Sequence, residues 1–158
     1  MSAGPQNFRG SILTAVQQQL SGRFSLSTGT EEKFLRSVAL GPIRPSGGNR
    51  PCCYVSDGGQ IRVLDPEDES SCERVLTVTV TVLLADVWER AENVAVWNTR
   101  VERVIAAVHK WLPSGCGMIR MDYVSDDPAD VLFASGASEA AWEIVFEARY
   151  FVNETREG

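Results

Sequence analysis

Between Arg74 and Ala85 the chain reads RVLTVTVTVLLA, with Leu76, Val78, Val80, Val82 and Leu84 alternating against Val75, Thr77, Thr79, Thr81 and Leu83. Period-two alternation of β-branched residues predicts a strand with one wholly apolar face. Ten extended residues reach about 33 Å. A strand of that length is either the centre of a sheet or part of a surface continuing beyond one subunit. Trp142 to Val152 repeats the pattern: Trp142, Ile144, Phe146, Ala148, Tyr150 and Val152 form one face, and Glu143, Val145, Glu147, Arg149 and Phe151 the other.

Helical spacing appears twice. Ile12, Leu13, Val16 and Leu20 fall on one stripe of a helix predicted from Asn7 to Leu20, with Gly22 available to close it. Val94, Trp97, Val101, Val104, Ile105, Val108, Trp111 and Leu112 recur at three- and four-residue steps and predict a main helix from Val94 to Leu112, stopped by Pro113. That helix would be about 28 Å long, close to the reach of the preceding strand.

The remaining segments are shorter. Phe34 to Leu40 alternates weakly and reads as a strand ended by Gly41-Pro42, with a helix from Thr30 as the competing reading. Arg44 to Pro51 is a loop. Cys52 to Val55 and Gln60 to Leu64 read as a hairpin turned by Ser56 to Gly59, because Asp57-Gly58 favours a tight turn. Asp65 to Glu73 reads as a solvated loop whose five carboxylates have no cation among them. Met118 to Val124 is a strand, Ser125 to Ser138 a long irregular connection, and Asn153 to Gly158 a frayed tail. The expected architecture is a single α+β domain over residues 1–158: a mostly antiparallel twisted sheet with two long strands, packed on one face by two helices.

Composition narrows the function classes. A chain of 158 residues with 44% hydrophobic and 23% charged residues has room for one core. A net charge of −6 disfavours broad phosphate-backbone binding. No run approaches the roughly 20 apolar residues that span a bilayer, and the N-terminus lacks a secretion signal, so synthesis in the cytoplasm without membrane association is expected. Cys52, Cys53, Cys72 and Cys116 show no CxxC spacing and read as reduced thiols.

Candidate chemistry is sparse. His109 is the only histidine and sits mid-helix beside the apolar stripe, where a structural role is the plainer reading. Asp122, Asp126, Asp127 and Asp130 match no calcium loop, and the Asp65 to Glu73 run has Ser70 where such a loop wants glycine. Gly115-Cys116-Gly117 continues into no phosphate-binding motif, and no nucleophile elbow is present. Trp88, Trp97, Trp111 and Trp142 have no basic cluster around them and read as core and interface anchors. Neither catalytic, cofactor-binding nor metal-binding residues are expected.

The order of elements resembles the tail terminator, or tail completion, proteins of long-tailed bacteriophages. The similarity is carried by FRGSILTAVQQQL, RPCCYVSDG, ERVLTVTVTVLLA with VERVIAAVHKWL, and WEIVFEARYFV, and spans most of the chain. It departs from a compact family member in the long Gly- and Pro-rich segment Arg23 to Pro51. The resemblance implies a small non-enzymatic subunit of the virion tail or neck, assembled in the host cytoplasm. It implies a homo-oligomeric ring, commonly a hexamer, that caps the tail tube, contacts the tube protein and head-completion proteins, and lets DNA pass without specific binding. A head-tail connector or other neck protein is the alternative, and a small ligand-binding α+β domain a third.

Residue chemistry locates the expected interface. Helices packed on the Leu76–Ile144 side leave a mixed face of Thr77, Thr79, Thr81, Glu143, Val145, Glu147 and Arg149, expected to meet neighbouring subunits or line a channel. Asp65, Glu67, Asp68 and Glu69 in one loop, and Asp126 and Asp127 in the other, are the expected docking carboxylates.

Overall fold

The structure, a computed structural model, describes residues 8–25, 33–45, 50–63, 73–84, 91–133, 135–136 and 138–152. Its elements are α1 (Phe8–Phe24), β1 (Ser37–Leu40), β2 (Cys52–Arg62), β3 (Glu73–Leu83), α2 (Ala91–Val108), β4 (Met118–Leu132) and β5 (Ser138–Phe151). The strands form one five-stranded sheet in the order β1-β2-β3-β5-β4. All pairings are antiparallel except β1 with β2. This is the expected α+β class.

The two long strands are direct neighbours: Val75 pairs with Arg149, Val78 with Phe146 and Val82 with Trp142. Leu76, Val78, Val80 and Val82 of β3 and Trp142, Ile144, Phe146 and Ala148 of β5 are buried in the main core together with Ile12, Val16, Leu20 and Phe24 of α1 and Trp97, Val101, Val104 and Val108 of α2. Both helices therefore cover one face. Each large side chain buried there contributes about 1.5–3 kcal/mol before entropy is subtracted.

Helix α1 passes through Gly22 instead of stopping, because Phe24 is the next residue of its buried stripe and packs against Phe34 with ring centroids 5.2 Å apart. Its last carbonyls are closed by Lys33, whose Nζ donates to Arg23 O at 2.7 Å and Gly22 O at 3.3 Å. At β1 the strand takes only Ser37–Leu40; Phe34 and Leu35 are core residues outside it, and residues 33–40 contain no helix.

The expected hairpin at Ser56–Gly59 is instead a bulge. β2 is one continuous strand, with its register against β3 shifting between Asp57 and Gln60. Gly59 adopts φ 106° and donates its N–H to Asp57 Oδ1 at 2.8 Å. A Cβ on Gly58 would lie 2.8 Å from the Thr77 side chain, so the strand can approach β3 only without one. The same Asp57 turns toward α1 and pairs with the Arg9 guanidinium, whose second nitrogen donates at 2.7 Å. That guanidinium holds the Asp57 carboxyl below its usual range.

The expected irregular loop from Ser125 to Ser138 is also corrected. β4 runs unbroken from Met118 to Leu132 and pairs with β5 as far as Leu132–Ser138, with register shifts between Met118 and Arg120 and between Tyr123 and Ser125. The residues that look like loop, including Pro128, are tolerated because β4 is an edge strand. Tyr123 and Pro128 pair with Phe146 and Trp142, positions of like parity on β5. The Pro128 nitrogen thus points to the open edge, where no ladder bond is lost.

Helix α2 ends at Val108, four residues before its expected end. Lys110 takes a left-handed φ of 61°, and its N–H leaves the helix to donate to Met121 O at 2.8 Å. His109 Nδ1 accepts the Tyr123 N–H at 3.1 Å. Together these contacts fasten the helix end to β4. Of the expected loop from Asp65 to Glu73, Glu73 is instead the first residue of β3; the rest of it and the tail at 153–158 lie outside the described residues.

Candidate assembly surface

Opposite the helices, the sheet presents Tyr54 and Ser56 of β2, Val75, Thr77, Thr79, Thr81 and Leu83 of β3, and Glu143, Val145, Glu147 and Arg149 of β5. Pairing fixes them in rows: Tyr54–Thr81–Glu143–Asp127 is one, and Thr77–Glu147–Asp122 another. Glu143 and Asp127 are exposed, while Thr77, Thr79, Val145, Glu147 and Arg149 are half-buried. No second layer seals this face along its middle among the described residues.

The face is not uniform. At one end Cys52, Tyr54, Leu83 and Ala141 form a small second cluster, flanked by Ile43 and Val131, with the Arg44 guanidinium 5.7 Å from the Tyr54 ring centroid. Thr81 lies beside it and is only 1% exposed, with its Oγ1 lacking a hydrogen-bond partner among the described residues. Toward the other end Arg149 pairs with Glu73 at 3.4 Å, and Phe151 is 52% exposed.

Carboxylates face carboxylates across β4 and β5: Asp127 opposes Glu143, and Asp122 opposes Glu147. Like charges directly opposite on a sheet repel. Arg120 relieves one of them, reaching Asp122 at 3.0 Å. Asp122 and Arg120 were not among the sequence candidates for this face, because the register that brings them to it depends on the bulge at Val124.

The carboxylates expected to dock partners are divided by the fold. Asp127 is on the open face, but Asp126 points to the helix side, where it accepts a hydrogen bond from Tyr123 Oη and one from Trp142 Nε1 at 2.8 Å. The hydrogen bond to Asp126, with desolvation and the nearby negative charge adding to it, pushes the Tyr123 phenol up to about 12. Asp126 thus holds two aromatics at the edge of the core. Asp65, Glu67, Asp68 and Glu69 lie outside the described residues.

Burial sets the thiol chemistry. Cys52, Cys53 and Cys116 are free and buried, and desolvation raises all three thiols, Cys53 most. No group of three or more His, Cys, Asp or Glu suited to a metal ion occurs among the described residues. No helix among them is long and apolar enough to cross a membrane.

No family model matches the chain, and no curated protein matches its sequence. Among solved structures, a chain of the "virion of native gene transfer agent (GTA) particle" aligns with a TM-score of 0.51, covering 92% of this chain and 98% of that one at 20% sequence identity. The two chains share a fold. The alignment spans nearly all of both, so the correspondence extends over the whole α+β unit and not one supersecondary piece.

Proposed function

We propose that this chain is a structural virion protein, a tail terminator subunit that forms a ring, caps the tail tube and joins it to the head. The observation carrying this reading is the asymmetry of the sheet. One face is closed by both helices, while the other exposes Glu143 and Asp127 with half-buried Thr77, Thr79 and Glu147 around them. Such a face suits contact with identical neighbours or the wall of a channel, where carboxylates repel DNA phosphates and allow passage without binding. The fold shared with a chain from a gene transfer agent virion supports the assignment to a virion.

In this reading the protein is not an enzyme and needs no cofactor. His109 is held as a hydrogen-bond acceptor for the backbone. Its partners are copies of itself, the tail tube protein and a head-completion or connector protein.

Electron micrographs of the purified chain, paired with light scattering across concentration, test the reading. Closed rings, and binding to the end of purified tail tubes, are expected. Monomers at every concentration, with and without tube protein, would overturn it, and binding to the portal instead of the tube would reassign the ring to a connector.

A further inference from the structure

Beside the end of α2 lies a groove of about 270 Å³, lined by Lys110, Leu112, Ile119, Arg120, Met121 and Asp122. Leu112 is 51% and Ile119 37% exposed, so the groove has an aliphatic floor open to solvent. Two cations stand on its rim. Arg120 is engaged by Asp122, whereas the Lys110 ammonium has no ion pair among the described residues.

Lys110 is also in an unusual conformation. At φ 61° it occupies the left-handed position that follows a helix, where glycine or asparagine is usual and another residue costs about 1–2 kcal/mol. A lysine kept at that position places a charge on the groove at the expense of subunit stability. Such strain is commonly found at working surfaces.

We infer that this groove receives the acidic segment 65–69 of a neighbouring copy, and that this contact joins successive subunits. The inference rests on the ring reading above. Asp65, Glu67, Asp68 and Glu69 complement Lys110 and Arg120 in charge, and Leu64 and Pro66 in the same stretch match the apolar character of Leu112 and Ile119. The segment leaves β2 after Val63 and returns at Glu73, positions joined by a 2.9 Å backbone hydrogen bond. The groove lies at the start of β4, where Met118 pairs with Tyr150, itself paired with Arg74. Val63 and Glu73, which flank the segment, and the groove therefore belong to the same end of the sheet but to opposite sides of the central β3–β5 pair. A contact from one side of a copy to the opposite side of the next is heterologous, the class of contact that builds a ring when its rotation closes.

Three variants test this: Lys110→Glu with Arg120→Glu, Glu67→Lys with Asp68→Lys and Glu69→Lys, and the two sets combined. Assembly is followed by sedimentation across concentration. Each set alone should weaken assembly by about tenfold or more, and the combined chain should recover most of the loss, since opposite charges then face one another again. Lys110→Gly should melt higher than the parent and yet assemble less well. Rings that form unchanged in every variant, or a combined chain no better than its parents, would overturn the contact while leaving the ring reading intact. Melting shifts independent of concentration, with restored stability in a monomeric combined variant, would place the segment on its own groove and also overturn it. Absence of rings in the unmodified chain would remove the ring and the contact together.

Discussion

The backbone N–H of Tyr123 donates to Nδ1 of His109 across 3.1 Å, so the only imidazole in the chain serves as a clamp between the end of α2 and the edge strand β4. The bond requires the ring nitrogen facing Tyr123 to carry a lone pair, which assigns the proton of the neutral ring to Nε2. His109→Ala leaves a part-buried amide without its acceptor and should lower stability by about 1 kcal/mol. Chemical denaturation measures the loss, and hydrogen exchange at the Tyr123 amide should accelerate; unchanged exchange there would contradict the clamp.

Val104 is buried on the core-facing side of α2, within the cluster that includes Val78, Val80 and Phe146. Val104→Asp puts a carboxylate there without a cation and should destabilise by more than about 3 kcal/mol. Loss of cooperative thermal unfolding and of the folded circular dichroism spectrum is the expected result.

Thr81 has a buried hydroxyl with no hydrogen-bond partner among the described residues. Thr81→Val keeps the shape and removes the unsatisfied group, so it should stabilise the subunit by about 1 kcal/mol. A lower melting temperature would mean that the hydroxyl has a partner in the folded protein.

The Arg9–Asp57 pair ties α1 to β2 and gives stability a small acid dependence. Asp57 is held below the ordinary carboxylate range by the Arg9 hydrogen bonds. Stability from this depressed group is fully present above the unfolded-state value of about 3.9 and is lost as pH falls through the folded one. With side chains 42% and 31% exposed, solvent screening holds the effect to about 0.5 kcal/mol. Asp57→Asn should therefore be slightly less stable than the parent at pH 7, and the difference should shrink below about pH 4. A difference that grows on acidification would contradict the pairing.

Some elements were legible in the sequence because their environment is one-sided. β3 and β5 sit mid-sheet with one face against helices, so burial imposes strict alternation on both. β4 lies at an edge, has its bulge after Tyr123 and carries Asp126, Asp127, Pro128 and Asp130, so the residues that protect an edge resemble those that make a loop. Asp57-Gly58-Gly59 fits a turn and a bulge equally well locally; the partner strand and Arg9 decide between them. The open face was legible for Thr77, Thr79, Glu143, Glu147 and Arg149, whereas the inward turn of Asp126 and the arrival of Asp122 depend on a single extra residue at the bulge.

Pro128 has a further consequence. Its ring sits where a foreign strand would seek a donor, between Asp126 and Asp130, whose charges deter another acidic copy. Pairing of a second strand along that margin, which would propagate into an endless ribbon, is thereby opposed. In the ring reading, contacts between copies would then fall to surfaces other than the β4 edge.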